Sequence, residues 1–333
     1  MTDRVPAVLI VAPRRPTGRS GNDVTAARWA ALLTAAGHPV DVVTVGEDEA
    51  GPSAAMARAD VLIAIHARRT AVAVQAWSAA HPDRPLVVAL AGTDLYVDVP
   101  GSPAAMASIE RADRLLVLQT AAVGRLCVID ERFGAKARVV NQSVDPTGLP
   151  SPAPVAGEFR VVVLAHLRDV KDPLLAARAA ARLPADSPVR VHHAGRALSP
   201  GWADNARAEA AGNPRYRWYG ELDRPAALDL LASGHVLACT SIEEGGANVV
   251  TEALAVGVPV VGTRIDGNTG LLGDDHPGLV PVGDDVALAD LLHRLVSDPS
   301  ALADLRRRSA ERRPLTDPVV EQAALVDLVA ELH

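Results

Sequence analysis

Short apolar runs alternate with longer amphipathic stretches along the first half of the chain. The stretch after the first run predicts a helix over residues 24–36, which Gly37 ends. Apolar runs of this length with helical patterns between most of them predict a parallel, doubly wound α/β sheet. The predicted strands of this half are 7–12, 40–45, 61–65, 86–91, 115–118 and 138–140.

A segment rich in Pro and Gly, residues 145–157, interrupts this alternation and predicts an interdomain linker. The pattern then restarts, and a second doubly wound domain is the simplest interpretation. We expect a first domain over 1–150, a second over 151–315 and a final helical segment over 316–333. The predicted strands of the second half are 160–164, 189–193, 216–219, 236–239 and 258–261, with helices at 284–297, 301–312 and 317–332.

Polar side chains follow the predicted strands of the first half, in a chain otherwise rich in Ala and Val. Ligands of parallel sheets bind beyond the carboxyl ends of the strands. Several arginines and a histidine on one rim therefore suggest a small anionic acceptor. Alternatively, Arg68 begins a solvated helix and Arg14 is only a loop charge. Asp94 is either a general base or orients a neighbouring Arg. The acceptor candidates are Arg14, Arg19, Gly21, Asn22, His66, Arg68, Thr93 and Asp94.

The stretch 240–263 combines a strand end, a glycine-containing turn, a helix and the next strand. Glu244 begins the turn and Glu252 lies at the border of the apolar arc of the helix. Free N–H groups at the helix N-terminus favour an anion. A phosphate there with a carboxylate beside it suits a nucleotide, because the carboxylate can accept both ribose hydroxyls. The alternative is a helix that favours acidic residues in its first turns.

Two further turns are candidate parts of a site. The turn 165–172 carries Arg168 and Lys171 between a strand and a helix, where two cations can stabilise developing negative charge. The alternative is that both are ordinary exposed side chains. Residues 266–273 predict a second glycine-rich loop, which either closes over a ligand or is only a turn.

Composition narrows the class of protein. At 333 residues the chain can bury two cores, and its net charge of −7 argues against nucleic acid or an anionic membrane as partner. Cys127 and Cys239 lie far apart without metal-ligand spacing, which argues against a disulfide or a zinc site. The sequence has no apolar run of membrane-spanning length and no signal-peptide pattern, so we expect a cytoplasmic protein.

Glu244, seven residues, Glu252 and then Ala-Leu-Ala-Val-Gly-Val-Pro-Val-Val resemble the signature of the retaining group 1 glycosyltransferases of GT-B fold. The resemblance implies two Rossmann-like domains across a cleft, with the C-terminal helix packing back on the first domain. It implies that Glu252 holds the ribose of a nucleotide sugar and that Glu244 lies near the sugar. It also implies transfer without a bound metal or cofactor.

The same resemblance gives the turn 165–172 a role. In this family a basic pair at the corresponding turn holds the donor diphosphate, which implies that role for Arg168 and Lys171. The family more often has Gly-Arg-Leu where this chain has Ala-His-Leu at 165–167. The arginine role therefore falls to Arg168. The catalytic residues implied are Arg168, Lys171 and Glu244.

A narrower resemblance, to the selenosugar synthases of selenoneine biosynthesis, rests on segments 20–29, 65–69, 91–96, 166–173, 213–218 and 244–253. It implies transfer of a hexosyl group, N-acetylglucosamine, from UDP to selenophosphate, with a new C–Se bond and loss of phosphate. Association with other enzymes of that pathway is also implied. The donor-binding residues implied are Gly245, Gly246, Ala247, Asn248 and Glu252.

Two alternatives stay open. One is a related glycosyltransferase that acts on another small anionic or sugar acceptor. The other is a nucleotide-sugar epimerase or hydrolase on the same two-domain scaffold.

Overall fold

The computed structural model describes residues 4–14, 21–92 and 94–333. Contacts between residues divide it into two compact units. Unit 1 comprises Met1–Ser143 and Pro318–His333, and unit 2 comprises Val144–Asp317. The segment 145–157 thus lies within unit 2, where the Ala153 N–H donates to the Ala232 carbonyl (2.8 Å).

Unit 1 is built on a six-stranded parallel sheet with the order β2-β1-β3-β4-β5-β6. The register of β1 runs from Val8 opposite Val40 to Pro13 opposite Val45. The strands are β1 Val8–Pro13, β2 Val40–Val45, β3 Val61–Ile65, β4 Leu86–Leu90, β5 Arg114–Val117 and β6 Ala137–Val139. The helices between them are α1 Gly21–Ala35, α2 Ser53–Arg58, α3 Ala71–Ala80, α4 Pro103–Arg111, α5 Ala121–Ile129 and α6 Glu131–Lys136.

Unit 2 repeats this plan with a six-stranded parallel sheet of order β12-β11-β10-β7-β8-β9. Its strands are β7 Phe159–Leu164, β8 Val189–Ala194, β9 Tyr216–Trp218, β10 Val236–Cys239, β11 Val260–Thr263 and β12 Leu279–Val280. Its helices are α7 Leu175–Ala181, α8 Trp202–Gly212, α9 Arg224–Ala232, α10 Asn248–Val256, α11 Asp266–Leu272, α12 Asp285–Ser297 and α13 Pro299–Ala310. The predicted doubly wound α/β fold is confirmed in both units.

Each sheet is covered on both faces, which explains its near-continuous apolar strands. Every residue of β3 and of β4 is buried, as expected for parallel strands between two helical layers. In unit 1, Trp77 lies in the core on one side of the sheet and Trp29 in the core on the other. Unit 2 has two such cores as well.

The last helix, α14 Pro318–Ala330, belongs to unit 1. Its Leu325, Leu328 and Val329 join the core that contains Trp29. Beyond its last residue, the exposed Glu331 pairs with Arg138 and Arg114, which lower the pKa of Glu331 to about 2. No helix in the described ranges is both long and apolar enough to cross a bilayer.

Two sequence predictions in unit 2 were wrong in detail. Residues 266–273 are mainly the helix α11 rather than a glycine-rich loop. The strand expected at 258–261 begins two residues later, because the backbone of Val258 is still bonded to the end of α10. There Gly257 adopts a left-handed φ of +94°, and the N–H groups of both residues donate to the Ala253 carbonyl.

Candidate active site

The turn after β7 is held in place by the end of β10. A 3₁₀ turn over Asp169–Lys171 is followed by Asp172 with a left-handed φ of +35°. The Thr240 hydroxyl lies within hydrogen-bond distance of the Lys171 and Asp172 carbonyls, at 3.1 and 3.0 Å. The Ile242 N–H donates to the Val170 carbonyl (2.8 Å). These bonds join the ends of two adjacent parallel strands, where such sheets bind ligands.

Lys171 and Glu244 meet at this edge of the sheet. The Lys171 ammonium donates to Glu244 Oε1, and the two side chains are only 17% and 10% exposed. The Ser241 hydroxyl donates to the same carboxylate oxygen (2.8 Å). Burial lowers the pKa of Lys171 to about 8, so the amine is mostly cationic at neutral pH.

Arg168 adds a second cation to this cluster. Its side chain is partly buried, and desolvation lowers its pKa from the usual value. Its Nε is buried and has no hydrogen-bond partner among the described residues. Buried donors are normally satisfied, so an unpartnered guanidinium nitrogen beside Lys171 is suited to an anion.

The helix α10 presents the second carboxylate of the signature. Ala247 precedes the helix and its side chain makes no capping hydrogen bond. One helical turn further, Glu252 is 25% exposed and lies 3.6 Å from Arg224 Nε. Gly245 is buried in the turn, and Asn248 is the first residue of the helix. The roles assigned to Gly245, Gly246, Ala247, Asn248 and Glu252 stay predictions.

Gly267 was not singled out from the sequence, yet it sets the position of Glu244. A Cβ on Gly267 would lie 2.4 Å from the Glu244 carbonyl oxygen and 2.8 Å from its Cβ. Contacts this short do not occur in folded proteins, so only glycine lets α11 approach the Glu244 backbone. An Asp-Gly-Asn sequence that begins three residues after a buried strand was the available signal.

His193 is a second residue that the sequence did not reveal. It is fully buried on β8, with Nε2 2.8 Å from the Ala165 carbonyl and Nδ1 2.8 Å from the Tyr216 hydroxyl. The carbonyl can only accept, so Nε2 carries the proton and the tyrosine donates to Nδ1. Burial lowers the pKa of His193 to about 4. A neutral His193 thus fixes the first residue of the turn that carries Arg168 and Lys171.

In unit 1, His66 stands at the carboxyl end of β3 in an unusual conformation. Its φ is +81°, and it is 6% exposed. Nδ1 lies 3.9 Å from Asp94 and Nε2 lies 3.5 Å from Asp98, two residues of a π-helical turn. Burial lowers the pKa of His66 despite the neighbouring carboxylates. Backbone strain and π-helical turns are often found at functional sites.

The described arginines of the unit 1 rim are engaged by carboxylates. Arg14 donates to Glu49 (2.8 Å), and Arg68 donates to both Asp98 and Glu47 (2.8 Å each). Arg68 therefore lies beside the His66 cluster, whereas Arg14 contacts the end of β2 through the Thr44 carbonyl.

The remaining acceptor candidates lie on two neighbouring segments. Gly21 and Asn22 begin α1, and the fully buried Asp94 accepts hydrogen bonds from the Gly92 and Ala67 N–H groups. Arg19 and Thr93 lie outside the described residues.

Comparison with known proteins agrees with this geometry. Residues 150–312 match the family model described as glycosyl transferases group 1. The matched residues make up nearly all of unit 2, so the similarity to this family is carried by that unit. The D-inositol 3-phosphate glycosyltransferase of Kribbella flavida is 29% identical over 239 residues. That match covers 64% of this chain and 56% of the relative, so the chain spans little more than half of the relative's length.

Solved structures match over almost the whole chain. Anabaena HepE in complex with UDP has a TM-score of 0.78 at 18% identity, covering 98% of this chain and 100% of that one. Sucrose-phosphate synthase from Thermosynechococcus elongatus has a TM-score of 0.79 at 18% identity, covering 99% of each chain. These matches show the fold, which is GT-B with two Rossmann-like domains.

Proposed function

We propose that this chain transfers a hexosyl group from a UDP-sugar to a small anionic acceptor. The observation that carries the proposal is the cluster of Lys171, Arg168 and Glu244 at the strand ends of the unit that is similar to group 1 glycosyltransferases. Structural neighbours support UDP as the nucleotide, because Anabaena HepE is described in complex with UDP and with UDP-glucose.

The proposed chemistry follows from the charges. When the bond between the sugar C1 and the diphosphate oxygen breaks, negative charge builds on the departing UDP. Lys171 and Arg168 stabilise that charge by donating to the phosphate oxygens. Glu252 accepts the ribose hydroxyls, and Glu244 and Asn248 contact the sugar. The proposed transfer uses no metal or other cofactor.

We further propose that the acceptor is selenophosphate and the sugar N-acetylglucosamine, so that the chain is a selenosugar synthase. The selenium attacks C1 as UDP leaves, and water then cleaves the P–Se bond to release phosphate and the selenosugar. Selenium is already nucleophilic, so the step needs no strong base. The support is the set of sequence segments that resemble selenosugar synthases, which includes His66 and Arg68 of the unit 1 rim.

In this proposal the protein works in the cytoplasm and associates with other enzymes of selenoneine biosynthesis. The partners it needs for the reaction are the UDP-sugar and selenophosphate, with no nucleic acid or membrane.

A phosphorylated polyol is the second candidate acceptor. It is favoured by one observation, the 29% identity to a relative named for D-inositol 3-phosphate. The same rim of unit 1 would then bind an acceptor phosphate in place of selenophosphate.

Mass spectrometry of the protein incubated with UDP-N-acetylglucosamine, with and without fresh selenophosphate, tests the proposal. The expected product is a hexosamine with the selenium isotope pattern, formed only when both substrates are present. A parallel incubation contains inositol phosphate as the acceptor. A glycosylated inositol phosphate there, without any selenium product, would indicate that the second candidate is the acceptor. UDP or an epimer formed from the nucleotide sugar alone would indicate a hydrolase or epimerase instead.

A further inference from the structure

Lys171 is the cation that the proposed reaction needs for the diphosphate, and in this structure it is already paired with Glu244. Both side chains are mostly buried, and both belong to unit 2. A buried ammonium without a counter-ion is unfavourable, so the carboxylate supplies the negative charge when no donor is bound. The arriving diphosphate brings the same charge to the same place.

The backbone around this pair is fixed, so any rearrangement must be made by the side chains. Thr240 and Ile242 bond the turn of Lys171 to the end of β10. On the other side, Gly267 lies against the Glu244 backbone at a distance that leaves no room for a Cβ. The lysine side chain, with its several rotatable bonds, is the part that can change partner.

We propose that Glu244 serves as the counter-ion of Lys171 until the donor diphosphate binds and replaces it. We call this the placeholder role of Glu244. This inference rests on the proposed UDP-sugar function. On donor binding, Lys171 Nζ leaves Glu244 Oε1 for a phosphate oxygen, while the Ser241 hydroxyl keeps its bond to the carboxylate. The buried Nε of Arg168 donates to the same diphosphate. Glu244, no longer paired with Lys171, is then available to the sugar.

Opposite effects of two substitutions on UDP affinity follow from this exchange. In Glu244→Gln the competing carboxylate is lost and the like-charge repulsion with it, so UDP binds about tenfold more tightly. In Ser241→Ala the carboxylate loses its second donor and holds Lys171 more strongly, so UDP binds about threefold more weakly. Glu244→Gln nevertheless transfers sugar more slowly, because the contact to the sugar is altered.

The adjacent Glu243 provides a matched control. Glu243→Gln removes the same charge one residue away, from a side chain that is only partly buried. Calorimetric titration of UDP into the three variants and the natural sequence should show tighter binding in Glu244→Gln only. Equal or weaker UDP binding in Glu244→Gln would overturn the placeholder role of Glu244. An equal gain in UDP affinity in Glu243→Gln would overturn it as well.

A second measurement does not depend on nucleotide binding. Lys136 and Lys171 are the two lysines of the chain, so acylation of each can be followed by peptide mass spectrometry. Loss of the counter-ion in Glu244→Gln lowers the pKa of Lys171 and increases its acylation rate at neutral pH, while Lys136 serves as internal reference. An unchanged Lys171 rate would contradict the ion pair itself. If the natural sequence binds no UDP while Lys171 responds as expected, the proposed function fails and the ion pair stands.

Discussion

The two units hold their buried carboxylates in different ways. In unit 1, Glu321 of α14 is 1% exposed and accepts from Arg28, from the Trp29 indole (2.8 Å) and from both donors of Ser143. In unit 2, Glu244 shares its oxygen between Lys171 and Ser241, and the nearby Arg168 Nε has no hydrogen-bond partner in the described ranges. Satisfied networks stabilise a fold. The incompletely satisfied one in unit 2 is suited to a ligand.

The cations of the two sheet edges differ in the number of carboxylates that contact them. In unit 1, Arg68 donates to two carboxylates, and Arg69 Nε lies 3.6 Å from Glu47 although it has no hydrogen bond there. In unit 2, Lys171 pairs with one carboxylate, that of Glu244, and Arg168 Nε has no hydrogen-bond partner among the described residues. A strongly anionic ligand should therefore bind unit 2 before unit 1.

Replacing the lysine of unit 2 should have the largest effect on activity. In the proposed reaction Lys171 stabilises the leaving diphosphate, so we expect Lys171→Ala to lower UDP-sugar turnover about 10³-fold. Lys136→Ala is the control, because Lys136 donates to the Glu110 and Ala112 carbonyls on the surface of unit 1. Turnover and circular dichroism should be measured for both. Near-normal turnover in Lys171→Ala would contradict the proposal that Lys171 binds the diphosphate.

Replacing the buried carboxylate of unit 1 should affect stability instead. Glu321→Ala removes the buried carboxylate that pairs with Arg28 and leaves the Trp29 and Ser143 donors without that acceptor, which lowers the free energy of unfolding by about 3 kcal/mol. Urea unfolding measures this effect. Glu331→Ala, ten residues later on the surface, should change stability little. Equal losses in both variants would contradict the distinction between the two carboxylates.

Acid should destabilise unit 2 more than unit 1. His193 and His276 of unit 2 have pKa values lowered to about 4 by burial, against about 6.5 in the unfolded chain. The unfolded state therefore binds more protons, so this stability is complete above pH 6.5 and is lost as the pH falls toward 4. For His193 the loss is about 3 kcal/mol at pH 4.

Hydrogen exchange of each unit at several pH values measures this difference. In a His193→Gln variant the dependence of unit 2 on pH should be smaller. A steeper dependence in unit 1 would contradict the assignment.

Gly267→Ala should lower both the stability of unit 2 and the activity of the protein. The new Cβ would overlap the Glu244 backbone, so we expect a loss of about 2 kcal/mol and lower turnover. Gly212→Ala, at the end of α8 with open space around it, should be harmless. Thermal unfolding and UDP-sugar turnover of both variants test this. Normal turnover in Gly267→Ala would show that α11 does not position Glu244.

The smallest effect concerns the proposed acceptor rim of unit 1. Arg68 lies beside the His66 cluster, so Arg68→Ala should raise the KM for selenophosphate about tenfold. Arg14→Ala should raise it less, because Arg14 contacts Glu49 and the Thr44 carbonyl at the end of β2 and has no described contact with the His66 cluster. Steady-state kinetics with saturating UDP-sugar would distinguish them. A larger effect of Arg14→Ala would indicate that the acceptor binds near the end of β2 instead.

The fold was predictable because its determinants are local. Buried parallel strands such as β3 give apolar runs, and Gly257 marks the end of α10. Helix α11 was missed because its glycines weaken the helical pattern, and only the tertiary contact between Gly267 and Glu244 explains one of them. The signature carboxylates and Lys171 were predicted as site residues from spacing and resemblance. Their partners were not, since Arg68 pairs with Glu47 and Lys171 with Glu244 across long separations in sequence.

Hydrogen exchange with and without UDP tests the central claim most directly, because it reports where the nucleotide binds. We expect UDP to slow exchange in residues 165–172 and 240–252 of unit 2 and to leave residues 66–70 and 94–98 of unit 1 unchanged. Protection confined to the unit 1 segments, or none around Lys171, would contradict the account.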